Sequence, residues 1–148
     1  MNENIRRSTV LAGAALILAT GGAEAHSYKL GSIAIGHLWT KPSGSGELDI
    51  FGPLFNTGSV PDRLISAASP IANEVEFVTE VDGGEQPLGR IELPPGKPVS
   101  LASWGAHIAL KKLKGNPREG DMVSLTLKFE KAGTIDVEAA VEKLPSPE

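Results

Sequence analysis

Apolar and polar residues alternate along most of the chain, and this pattern predicts β-strands. In the clearest segment, residues 123–129, every second residue is Val, Leu or Phe, with polar residues between them. The same period of two occurs in residues 33–39, 48–50, 74–81, 107–111 and 135–139. Such a period gives each strand one buried and one solvated face, which is typical of mostly antiparallel sheets.

Turn-forming segments separate the predicted strands, for example Pro-Pro-Gly at 94–96 and Asp-Gly-Gly at 82–84. No segment has the period of a long amphipathic helix. Short alternating strands with regular turns predict a single all-β domain, a sandwich or a barrel.

The alternation also assigns side chains to faces. In the first strand it places on one shared face Ile33, Ile35, His37 and Trp39. In two later strands the predicted outward face is mostly polar. It consists of Glu74, Glu76, Val78 and Glu80 in one strand, and of His107, Ala109 and Lys111 in the other. Val78 and Ala109 are the unexpected apolar members of this outward set.

The first 25 residues have the pattern of a cleaved secretory signal peptide. Arg6 and Arg7 precede an apolar run at 10–19, and Ala23-Glu24-Ala25 follows it. The run is too short to span a bilayer. We therefore expect a signal peptide at 1–25, export to the periplasm by the general or the twin-arginine route, a domain at 26–142 and a loose tail at 143–148.

Composition excludes several kinds of site. The chain has no cysteine, so disulfides and thiolate ligands are excluded. The net charge is −4, and no basic stripe is visible, which argues against nucleic-acid binding. No phosphate-binding glycine motif or G-x-S-x-G nucleophile elbow occurs, and an enzyme is not predicted.

Three stretches of the chain carry a resemblance to a known family. They are HSYKLGSIAIGHLW at 26–39, PDRLISAASP at 61–70 followed by VEF at 75–77, and GAHIAL at 105–110 followed by GD at 120–121 and LTLKFEKAG at 125–133. Together they resemble the PCu(A)C family of periplasmic copper chaperones. The resemblance implies a cupredoxin-like β-sandwich. It also implies a surface Cu(I) site of two His and two Met, and delivery of copper towards enzymes such as cytochrome oxidase.

The family's ligand set is largely absent from this sequence. Val78 stands where the first His is expected, and the His-x-Met pair reads His107-Ile108-Ala109. The only methionine after the signal segment is Met122, which is predicted on the polar face or the edge of its strand. Because Cu(I) prefers thioethers, the sequence predicts weak Cu(I) binding and makes Cu(II) the more plausible cargo.

Three histidines remain as candidate ligands. His107 is either an inherited metal ligand or a solvated surface residue. His26, if cleavage follows Ala25, would offer its α-amine and ring Nδ1 as a Cu(II) chelate; otherwise it is a terminus without a role. His37 is expected to be buried or half-buried and hydrogen-bonded, with a structural role.

These observations support two functional hypotheses. The first is a periplasmic copper carrier with an altered site that uses His107 and His26, and whose partner is a copper enzyme or another carrier. The second is a metal-free, cupredoxin-like protein-binding module derived from the same family. Neither hypothesis includes a membrane span in the mature chain.

Overall fold

The computed structural model describes residues 26–143. The predicted signal peptide and residues 144–148 of the predicted tail lie outside the described residues. The described part consists of strands joined by turns and short loops: β1 (Tyr28–Leu30), β2 (Ile33–Ile35), β3 (Leu38–Thr40), β4 (Leu48–Ile50), β5 (Gly52–Asn56), β6 (Asp62–Ala68), β7 (Ala72–Val81), β8 (Gly84–Leu88), β9 (Ile91–Leu93), β10 (Pro98–Leu101), β11 (His107–Leu113), β12 (Met122–Phe129) and β13 (Gly133–Val141). The all-β prediction is confirmed, and within residues 26–143 no helix is long and apolar enough to cross a bilayer.

The strands form three sheets. Their orders are β1-β2-β5-β10, β4-β11-β7-β8 and β3-β13-β12-β6-β9. Pairing is antiparallel, as predicted, except between β3 and β13, which run parallel. One apolar core joins all three sheets, because the inward faces of β2, β11 and β12 contribute to the same cluster, for example Ile33, Ile108 and Leu127.

One face assignment from the sequence is wrong. Ile33 and Ile35 are buried as predicted, but Leu38, rather than Trp39, is the buried residue of the next strand. The chain leaves the first sheet after Ile35 and restarts at Leu38 in the third sheet. The two strands are separate elements, so the period of two does not continue across the break.

The Asp62 carboxylate connects two distant parts of the third sheet. It accepts hydrogen bonds from the backbone N–H groups of Arg63, Lys131 and Ala132 at 2.8, 2.8 and 2.9 Å. Beside it, the Arg63 guanidinium pairs with Glu130 at 3.0 Å. The Asp-Arg-Leu and Phe-Glu-Lys-Ala-Gly segments, which carry much of the family resemblance, are therefore in direct contact.

We expect Asp62→Ala to destabilise the fold by roughly 3 kcal/mol, because it removes a buried carboxylate that accepts three partly buried backbone hydrogen bonds. Asp136 lies on the same sheet but is exposed. Asp136→Ala should change the free energy of unfolding by no more than about 0.5 kcal/mol. Urea denaturation followed by tryptophan fluorescence measures both values, and equal values for the two variants would contradict the role of Asp62.

Candidate metal centre

The outer face of the sheet β4-β11-β7-β8 brings the candidate ligands together. His107 on β11 pairs with Val78 on β7, and Ala109 pairs with Asp49 on β4. On the other side of β7, Glu85 of β8 lies opposite Glu80. Because side chains alternate between faces, Asp49, Val78, His107 and Ala109 share one face of this sheet.

The expected exposure of this face is wrong at its centre. Val78 and Ala109 are each 1% exposed, and His107 is 2% exposed. Phe51 follows Asp49 by two residues and therefore lies on the same face, where its ring centroid is 5.5 Å from that of His107. The alternative expectation for His107, that it is a solvated surface histidine, is therefore also wrong.

Hydrogen bonds to the backbone fix the tautomer of His107. Its Nδ1 lies 3.1 Å from the carbonyl oxygen of Ala102 and 3.0 Å from that of Gly105. Both partners are acceptors, so Nδ1 carries the proton and donates to them. In the neutral ring the lone pair is then on Nε2, which is the arrangement of a histidine ready to ligate a metal.

The free nitrogen of His107 faces two carboxylates. Nε2 is buried, has no hydrogen-bond partner in the described part of the chain, and lies 3.6 Å from Asp49 Oδ1 and 3.8 Å from Glu85 Oε2. The three candidate ligand atoms all lie within 4.8 Å of one another. The carboxylates are partly exposed, so the cluster is open to solvent on their side.

The pKa of Asp49 reflects the burial and the charges around it, including a second carboxylate close by. Burial raises the pKa of Asp49, the His107 ring lowers it, and the Glu85 carboxylate raises it further. Lys111 is the last and smallest of these influences and lowers the pKa of Asp49; its Nζ is bound to Glu76 Oε2 at 2.6 Å, a contact that raises the pKa of Lys111, and it forms no ion pair with Asp49 or Glu85 within residues 26–143. The cluster therefore favours a cation.

The other candidate residues lie outside this cluster. His26 precedes β1, and its buried Nδ1 has no hydrogen-bond partner within residues 26–143. His37 is half-buried and its Nε2 lies 2.5 Å from Glu142 Oε2, which confirms the half-buried, hydrogen-bonded environment expected for it. Met122 lies in the third sheet on the outward side of β12, as predicted, and away from the sheet that carries His107.

An aromatic groove borders the cluster. The turn that holds His107 through Ala102 and Gly105 also carries Trp104, which is 82% exposed. Beside it is a groove of about 370 Å³ lined in part by Trp39 and Phe51. The rings of Trp39 and Phe51 are 5.0 Å apart, so aromatic contacts extend from this groove to His107.

Sequence reasoning missed Asp49 and Glu85. Asp49 had one available signal, since it is the polar residue between the buried Leu48 and Ile50. Glu85 had none, because β8 is almost wholly exposed and lacks an alternating pattern. Only strand pairing shows that both carboxylates reach His107.

Comparison with known proteins gives one matching family model and one curated relative that aligns along most of the chain. The family described as "Putative lipoprotein LpqE-like" matches residues 33–141. A relative from Leifsonia xyli subsp. xyli (strain CTCB07), "Putative lipoprotein Lxx21020", is 28% identical over 151 residues, covering 93% of this chain and 89% of the relative.

Solved PCuAC domains share the fold. The "Copper-bound PCuAC domain from PmoF2" is 31% identical with a TM-score of 0.72, covering 80% of this chain and 99% of that domain. The "Apo PCuAC domain from PmoF1" is 27% identical with the same TM-score, covering 80% and 100%. CuI-DR1885 from Deinococcus radiodurans, at 23% identity, TM-score 0.63 and coverage of 84% and 85%, shares the fold alone. The predicted cupredoxin-like β-sandwich is thus confirmed, and the chain belongs to the LpqE-like family, with PCuAC domains as its structural neighbours.

Proposed function

We propose that this protein is an exported copper carrier that binds the ion at a site built around His107 and passes it to a copper enzyme, such as cytochrome oxidase, or to another carrier. The protein would bind and release copper and would catalyse no reaction. The signal-like segment at 1–25 and the lipoprotein name of its relative support export, with the periplasm as the destination.

One observation carries this proposal. In a fold shared with a copper-bound domain, His107 has a buried Nε2 without a hydrogen-bond partner in the described residues, and its tautomer leaves the lone pair on that atom. A buried polar atom without a partner costs roughly 1–3 kcal/mol. A bound cation would remove that cost and would use the lone pair that the turn 102–106 prepares.

We expect His107→Gln to lower copper affinity by roughly tenfold or more, because it removes the fixed nitrogen ligand. The measurement is a titration with copper in both oxidation states against a competing chelator, using protein recovered after export. His37→Gln is the matched control, since its ring is bonded to Glu142 and lies outside the cluster. Both variants are made in a chain that also carries His26→Ala, so that no N-terminal chelate contributes, and affinities equal to that of the His26→Ala chain would refute a site at His107.

His26 is proposed as a second, independent Cu(II) ligand. Cleavage after Ala25 would free its α-amine, and its Nδ1 has no hydrogen-bond partner among the described residues. The amine and Nδ1 together would form a bidentate, nitrogen-only grip, which suits Cu(II).

For this chelate, we expect one extra residue ahead of His26 to lower Cu(II) affinity, because the extension converts the His26 amine to an amide, and we expect His26→Ala to lower it because the substitution removes Nδ1. The measurement is a Cu(II) titration in a chain that also carries His107→Gln, with mass spectrometry to fix the first residue. An affinity unchanged by the extension would remove the chelate from the proposal.

The exposed Trp104 favours a second candidate function, a protein-binding module without metal. Trp104 and the adjoining groove lined by Trp39, Phe51 and Leu101 form an apolar surface of the kind that protein interfaces use. A chain that binds neither Cu(I) nor Cu(II) would favour this candidate over the carrier.

A further inference from the structure

We propose that Asp49, Glu85 and His107 form a single site for a divalent cation, with one nitrogen and two carboxylate oxygens as ligands, and that the cargo of the carrier is therefore Cu(II). The identity of the metal as copper rests on the proposed function, whereas the existence of a divalent-cation site does not.

Strand pairing assembles the three ligands from three different strands. β4 supplies Asp49, β11 supplies His107, and β8 supplies Glu85. Ala109 is the neighbour of Asp49 across the β4–β11 pair, and its methyl group leaves the space beside the carboxylate free of a larger side chain.

Charge favours a dication at this place. Two carboxylates and a neutral imidazole carry a formal charge of −2. Within residues 26–143 neither Asp49 nor Glu85 is paired with a lysine or arginine, because Lys111 is held by Glu76. A divalent ion would balance the cluster, and it would also satisfy the buried Nε2.

The donor set favours Cu(II) over Cu(I). Imidazole and carboxylate suit divalent ions, and among first-row divalent metals Cu(II) binds such sites most tightly. Cu(I) requires soft ligands, and Met122, the only methionine in the described chain, lies in another sheet. Ligand bonds near 2.1 Å need ligand atoms roughly 3–3.5 Å apart. The observed spacings are larger, at 3.6 and 3.8 Å from Nε2. Rotation of the partly exposed carboxylates can bring their oxygens closer.

The test uses Asp49→Asn and Glu85→Gln, which keep side-chain shape and remove charge. Glu47→Gln and Glu80→Gln are the matched controls, because they remove the same charge next to the cluster without removing a member of it. All four are made in a chain that also carries His26→Ala, which eliminates the other Cu(II) candidate. Cu(II), Zn(II) and Cu(I) are each titrated against a competing chelator, and electron paramagnetic resonance of the Cu(II) form counts the nitrogen ligands.

We expect each of Asp49→Asn and Glu85→Gln to weaken Cu(II) and Zn(II) binding at least tenfold relative to its control, with one coupled ring nitrogen in the unaltered site. Cu(I) should bind more weakly than Cu(II). Carboxylate variants that bind Cu(II) like their controls, or a Cu(I) site tighter than the Cu(II) site, would overturn the inference.

The failures of the two proposals are distinguishable. Copper binding that requires His107 but neither carboxylate would be consistent with the carrier proposal and would refute the divalent site. Zn(II) and Cu(II) binding that requires all three residues, in a protein recovered after export with zinc and no copper bound, would support the divalent site and refute the copper carrier.

Discussion

The candidate site depends on one interaction, the bifurcated hydrogen bond from His107 Nδ1 to the carbonyl oxygens of Ala102 and Gly105. It orients the ring, and it places the lone pair on the nitrogen that faces Asp49 and Glu85. The turn 102–106 is itself closed by backbone hydrogen bonds between Ala102 and Ala106 and between Gly105 and Ala102. The orientation of the ligand is thus determined by backbone that precedes β11, rather than by the residues that would contact the ion.

The same turn connects the site to the surface of the protein. Trp104 projects from it into solvent, while Phe51 covers the His107 ring from the side of β4. Gly52 allows this arrangement, because it adopts a φ of 144° and a Cβ there would lie 2.6 Å from the carbonyl oxygen of His37. Beside this close approach, the backbones of Trp39 and Phe51 are joined by two hydrogen bonds of 2.9 Å.

The sequence predicted the fold well and the site only in part, and particular residues explain why. Strong alternation identified β7, β11, β12 and β13, and the histidine of β11 was found as a candidate. The alternation missed short strands that contain proline or glycine, such as β8 and β10. It also wrongly assigned Trp39 to the buried face that includes Ile33 and Ile35. Whether His107 is exposed depends on Phe51 and on the turn 102–106, and the membership of Glu85 depends on the β7–β8 pairing. These are contacts between distant segments, which a periodic pattern cannot contain.

The Asp62 junction and the candidate metal ligands lie on different sheets, so the ligand residues can differ from those of the PCu(A)C family while the junction is kept. The Asp62 junction ties together parts of the third sheet through hydrogen bonds from the backbone to a buried carboxylate, and its residues are not members of the cluster on the second sheet. Residues at 49, 78, 85 and 109 can therefore change without disturbing that junction. The cluster combines one fixed, buried nitrogen with two carboxylates that remain partly open to water. A closed four-ligand site retains its metal, whereas an ion held on its outer side by partly exposed carboxylates could exchange them one at a time for the ligands of an acceptor, as the proposed carrier requires.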